Sequence, residues 1–136
     1  MSDNKISRYK EREQAFFICF EKLFSDASIS EISECAEESL DDNYSDFALE
    51  CAKGVEDNLE EIDKIISHHL SAKWKLNRIS RVSLSILRLA VYEMKYVEDI
   101  PSNVSINEAV ELSKKFSGEE EYKFVNGILG AVSRDI

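Results

Sequence analysis

Apolar positions along the chain recur at helical spacing and divide it into about seven segments. From about Ser7 to Phe24, projection at about 100° per residue gathers Tyr9, Phe16, Phe17, Phe20, Leu23 and Phe24 into one wedge. Arg8, Arg12 and Lys22 fall on another side, around the small Ala15 and Cys19. A short acidic helix is expected from about Ser30 to Leu40, ended by Asp41-Asp42-Asn43. Ser45 is placed to cap a third helix carrying Phe47, Leu49, Cys51, Ala52 and Val55. Asn58 followed by Glu61 has the spacing of a capping box, before Leu59, Ile62, Ile65, Ile66 and Leu70. From Ser80 to about Tyr96 apolar side chains run nearly all round the wheel, which predicts a helix surrounded by others. Arg88 fills its narrow polar gap between Leu84 and Tyr92. Glu93 instead falls among Val82, Ile86 and Leu89, where a carboxylate needs donors, for example a helix N-terminus.

Asp99-Ile100-Pro101 breaks the chain. Ser105-x-x-Glu108 then reads as a capping box opening a helix with Ile106, Ala109, Val110, Leu112 and Phe116, and Glu111–Lys115 as an i, i+4 pair on its exposed face. Gly118 supplies a stop, and Glu119, Glu120 and Glu121 suit the positive end of a last helix carrying Phe124, Val125, Ile128, Leu129 and Val132. One proline and four glycines leave too few turns for an all-β fold. The expectation is an all-α array of about seven helices with short connections, in a single domain of 136 residues.

Charge changes the picture. A net charge of −10 argues by itself against nucleic acid, but the charge is segregated. Residues 26–66 hold fourteen acids against Lys53 and Lys64, whereas the flanking parts are each near +1. The window Lys73–Arg88 carries Lys73, Lys75, Arg78, Arg81 and Arg88 with no acid. Within it Trp74 is equally a base-stacking residue or a core residue. The absence of any apolar run near the length of a membrane span, and a polar start without a signal-peptide core, lead to the expectation of a cytoplasmic protein. Cys19, Cys35 and Cys51 form no Cys-x-x-Cys pair and read as small buried hydrophobes. His68 and His69 have no cysteine at ligand spacing, so no metal or cofactor is expected. No Walker loop, dinucleotide fingerprint or nucleophile elbow is present, and Glu93 lacks a companion nucleophile or second carboxylate, so no enzymatic activity is expected.

Three stretches resemble the NusB family of transcription antitermination factors in content, order and spacing. They are Arg12-Glu13-x-Ala15 with Arg8 and Lys10 before it; Trp74-x-Leu76-x-Arg78-Ile79-Ser80-Arg81-Val82 running into Ile86–Glu93; and Asp99-Ile100-Pro101 with Val104-x-Ile106-Asn107-Glu108-Ala109-Val110-Glu111-Leu112, ending in Lys123–Leu129. The resemblance covers nearly the whole chain. It implies two three-helix subdomains plus one further helix, divided at about 1–71 and 72–136. It also implies binding to NusE, a small-subunit ribosomal protein, and to boxA-type single-stranded RNA within an RNA polymerase antitermination complex, notably on ribosomal RNA operons.

The RNA contacts expected on that basis are Arg8, Lys10, Arg12, Arg81, Arg88, Lys123 and Phe124. Lysine at 10 keeps charge but not the planar fork of arginine, and Gly127 is placed to let another backbone come close. A second class of function stays open, a helical protein-binding adaptor or homodimer with little intrinsic RNA binding.

Overall fold

The computed structural model describes residues 7–40, 43–71 and 75–136, without the side chains of 39 and 40. Among these, seven α-helices and one short 3-10 turn account for the regular structure, as the apolar periodicity predicts. They are α1 (Arg8–Glu21), α2 (Ile29–Leu40), α3 (Asp46–Asp57), α4 (Leu59–His68), α5 (Arg81–Tyr96), α6 (Ser102–Phe116) and α7 (Glu119–Asp135), with the 3-10 turn at Leu76–Arg78.

Several boundaries are set by side chains that the sequence offers for capping. Ser45 accepts from the Ala48 amide and Ser80 from the Ser83 amide, satisfying donors that a helix start leaves unpaired. Ser28 and Glu31 form a reciprocal box ahead of α2, the Ser28 hydroxyl accepting from the Glu31 amide and the Glu31 carboxylate from the Ser28 amide. Gly118, at φ 102°, makes the turn between α6 and α7 in a backbone region that other residues rarely enter.

Two expected capping boxes are corrected. Asn58 makes no cap for α4; its side-chain amide donates back to the Gly54 carbonyl and closes α3. Helix α6 begins just after Pro101, so Ser105 lies inside it, buried, with its hydroxyl turned to Glu93. The expected Glu111–Lys115 pair is also replaced, because Lys115 reaches across to Glu13 at 2.6 Å while Glu111 meets Lys114 at 3.6 Å.

Helix α5 is the hub, touching α1, α3, α4, α6 and α7, and ten of its residues are buried. That matches its nearly all-round apolar pattern. Helix α1 also lies inside the array, against α2, α3, α5 and α6, and it faces the core differently from its aromatic wedge. Ala15, Ile18 and Cys19 are buried with Arg12 and Phe16, whereas Phe24 is 55% exposed. The small side lets neighbouring helices come close, and the aromatic rings line the edge. Phe24, Phe20, Phe16 and Phe116 there form a ladder with successive centroids 5.0, 6.0 and 5.0 Å apart.

Gly54 in α3 leaves room for a ring from another helix. A Cβ at that position would sit 2.1 Å from a ring carbon of Tyr92 on α5. At Gly127, by contrast, an added Cβ would meet nothing within 4 Å. The close backbone approach expected at Gly127 is therefore not made within the described residues, while Gly54 makes space for a side chain.

Candidate nucleic-acid and partner interface

The positively charged side chains divide into those committed inside the fold and those presented on it. Arg12 is the clearest correction. Its side chain is 3% exposed, and its Nε and Nη2 donate to both Glu93 oxygens at 2.8–3.0 Å, with Ser105 Oγ donating to the same carboxylate at 3.1 Å. The donors that Glu93 requires are therefore an arginine fork and a serine from two other helices. Burial would lower the Arg12 pKa, but the hydrogen bonds and charge of Glu93 outweigh it and hold the guanidinium firmly protonated. Arg12 is thus a buried cation joining α1 to α5, not the exposed helix-start base that its position in the sequence suggests.

Arg88 occupies its polar gap, and its guanidinium forks onto Asp63 of α4 with two bonds of 2.9 Å. With 13% of its side chain exposed, it ties α5 to α4 and is removed from the surface set. Such planar two-point pairing is what distinguishes arginine from lysine at a buried seam.

Arg8 and Arg81 remain at the surface, each held over an aromatic ring. The Arg8 guanidinium lies 4.1 Å from the Phe47 centroid and 3.3 Å from Glu11. Arg81 lies 4.9 Å from the centroid of Phe24. Stacking orients a charged fork without removing it from water. The two arginines are at opposite ends of α1, because Phe24 closes the turn after the helix that Arg8 begins.

Lys10 belongs to the first of these ends, with its Nζ 3.2 Å from Glu13. Lys115 adds a second ammonium to the same carboxylate. Burial would raise the Glu13 pKa, but the hydrogen bonds from Lys115 and Lys10 reverse the sign and keep it ionised. Lys114 sits 5.0 Å from the Tyr122 ring, and Lys115 lies 6.0 Å from Tyr9 and 5.3 Å from Phe116. Lys114, Lys115 and Phe116 were not singled out from the sequence as contacts, although a Lys-Lys-Phe run at a helix end was visible there.

Lys123 is exposed on α7, whereas Phe124 is half-buried and packs on the main core. Lys75 and Arg78 are exposed, and Lys73 and Trp74 lie outside the described residues. At the start of α7, Glu121 accepts from Ser80 Oγ at 2.8 Å and Ser83 Oγ at 2.6 Å, fixing it to the start of α5 near Arg81. Cys19 and Cys51 are buried, as expected, and burial pushes both thiols up to about 12; Cys35 is exposed. Among the described residues, no group of three or more His, Cys, Asp and Glu side chains is placed to hold a metal ion, and no helix is long and apolar enough to cross a membrane.

Comparison with known proteins agrees with this architecture over almost its full length. The family model described as NusB family matches residues 9–134. Transcription antitermination protein NusB of Bacillus subtilis (strain 168) is 43% identical over 132 residues, covering 96% of this chain and 98% of that protein. Its counterpart in Clostridium novyi (strain NT) is 42% identical over 129 residues, covering 92% and 96%. Among solved structures, NusB from T. maritima superposes with a TM-score of 0.82 at 36% identity, covering 96% of this chain and 93% of that one. A structure of the antitermination factors NusB and NusE in complex with dsRNA gives a TM-score of 0.83 at 27% identity, covering 96% and 100%. Sequence, fold and the order of the helices all lead to one assignment: the chain belongs to the NusB family.

Proposed function

We propose that this chain is a transcription antitermination factor that pairs with NusE and, as a heterodimer, binds boxA-type single-stranded RNA in nascent transcripts. The observation that carries the reading is the full-length likeness to relatives named for antitermination and to the NusB chain solved with NusE and RNA. The surface geometry supports it. Arg8 and Arg81 are exposed and oriented by aromatic rings, Lys10, Lys115 and Lys123 add charge, and Phe24 with Arg81 offers an apolar and cationic patch for a protein partner. The chain acts by binding, in the cytoplasm, and no catalytic step is assigned to it.

Net charge opposes RNA approach, and several cations already face acids, so RNA binding by the chain alone is weak and strongly salt-dependent. NusE binding adds the missing affinity. Gel-shift titration of boxA-type RNA, with and without NusE, tests this reading. Much tighter binding with NusE is expected, and equal affinity in both titrations refutes it.

A further inference from the structure

Helix α2 packs mainly on α1 and α3, through a small apolar cluster of its own built on Ile18, Ile32 and Ala52. That cluster does not fill the seam. A groove of about 350 Å³ remains between α1 and α2, lined by the apolar Phe17, Ala27, Ile32 and Ala36. Its lining repeats one helical turn apart on both sides, as Phe17 and Glu21 on α1 and as Ile32 and Ala36 on α2, so the groove follows the helices that form it.

The polar part of the lining has one sign. Glu21 stands on the α1 side and Glu31 on the α2 side, the latter fixed by the Ser28 amide at 2.8 Å. Neither carboxylate is in an ion pair among the described residues. Lys22, the nearest base in sequence, is already committed to Glu56 at 2.9 Å and to the Ala27 carbonyl at 3.1 Å. No lysine or arginine occurs from Leu23 to Ala52, while Asp26, Glu34 and Glu38 are exposed together with Glu31.

Such a surface repels nucleic acid, and it repels a second copy of a chain whose net charge is −10. An apolar floor between carboxylates suits a helix whose apolar stripe is flanked by positive charge, because the stripe is desolvated in the groove while the charges meet across its rims. We propose that the α1–α2 groove is a docking site for a basic amphipathic helix of a protein partner, its apolar stripe on Phe17 and Ile32 and its lysines or arginines against Glu21 and Glu31. The site is opposite in sign to the surfaces of Arg8 and Arg81, and it does not depend on the RNA-binding reading above.

The test titrates the full chain with a synthetic helical peptide that carries a leucine stripe flanked by lysines, and follows backbone amide shifts by NMR. One control peptide keeps the stripe and exchanges the lysines for glutamates; the other keeps the lysines and exchanges the stripe for serines. The lysine–leucine helix should shift the amides around Phe17, Glu21, Ile32 and Ala36 saturably, and both controls should bind at least roughly tenfold more weakly. Glu21→Gln should weaken binding roughly two- to fivefold, whereas Glu34→Gln, which removes the same charge from α2 outside the groove, should leave it nearly unchanged. Cys35→Arg sets a bulky cation into the groove at an exposed position, and should weaken binding roughly tenfold at an unchanged thermal midpoint. Equal binding of the serine control, equal effects of the two glutamine substitutions, or undiminished binding in Cys35→Arg overturns the inference and leaves only general attraction to an acidic surface. Equal binding of the glutamate control overturns it as well. Concentration-dependent shifts of the same amides without peptide would place a second copy in the groove and overturn the choice of partner.

Discussion

Replacing Arg12 by alanine removes the donor fork from a carboxylate that is itself 2% exposed. Glu93 then keeps the Ser105 hydroxyl, at 3.1 Å, in place of the three bonds that Arg12 supplied. Removing one member of a buried pair leaves the other's desolvation uncompensated and typically costs about 3–5 kcal/mol, well above the ~1 kcal/mol of an ordinary hydrogen bond. For a chain of 136 residues the unfolding entropy is about 0.3 kcal/mol per kelvin, so the thermal midpoint should fall by roughly 10–17 °C. The same pairing makes the double substitution informative. Arg12→Met with Glu93→Leu removes both charges and fills their space, so it should recover much of the loss, and the coupling energy from the cycle should be favourable. Calorimetry or thermal circular dichroism of the four proteins measures it. RNA and NusE binding, measured well below each midpoint, should fall only as far as folding falls. An Arg12→Ala protein that melts like wild type while losing RNA would place Arg12 at the interface and refute this account of the core.

Gly54→Ala pushes a Cβ into the Tyr92 ring, so it should destabilise by roughly 1–3 kcal/mol despite alanine's better helix propensity, and Tyr92→Leu in the same chain should relieve part of that loss; urea unfolding measures both. His69 accepts a pH prediction: its Nδ1 faces the Ile65 carbonyl at 2.8 Å and its Nε2 faces Asp135 at 2.6 Å, contacts that raise its pKa against the opposing effect of burial. A raised folded pKa stabilises fully below the unfolded value of about 6.5 and ceases to do so as pH rises through the folded value. The stability difference between wild type and His69→Leu should therefore shrink between mildly acidic and mildly alkaline pH, and a pH-independent difference would refute the pairing. Thiol titration should find Cys35 reactive in the folded protein and Cys19 and Cys51 reactive only after unfolding, because their thiols are buried and pushed up to about 12.

Much of the helical order was legible because it depends on local rules. Ser45 and Ser80 sit where a cap must be, Gly118 marks a turn, and the apolar belt around residues 82–94 identified the central helix. The burial of Glu93 also followed from its position on the wheel. Its partner did not, because Arg12 lies 81 residues away and an arginine near a helix start reads as surface when α1 is considered alone. The same blindness to tertiary neighbours explains Gly54, whose reason is a tyrosine on another helix, and Lys115, which prefers Glu13 across the seam to Glu111 on its own helix. Ser105 misled in the opposite way: its spacing to Glu108 imitates a cap, while the real start of α6 comes just after Pro101. For the candidate interface, charge segregation indicated that basic residues mattered, but only the fold separates Arg8 and Arg81 on aromatic rings from Arg12 and Arg88 on carboxylates.

The phenylalanine ladder along α1 has a metric consequence. Phe16 and Phe24 are separated by eight residues, which a helical path and its closing turn convert into about 12 Å of nearly incompressible length. The open rings at its two extremities, Phe24 beside Arg81 and Phe116 beside Lys115, are therefore held at a set span. Side-chain substitutions within the ladder alter how firmly the span is braced, but not its length. Insertion of a single residue between Phe16 and Phe24 does alter it, adding about 1.5 Å and turning Phe24 by about 100° relative to Phe16. In this part of the chain, insertions and deletions are consequently more damaging than substitutions.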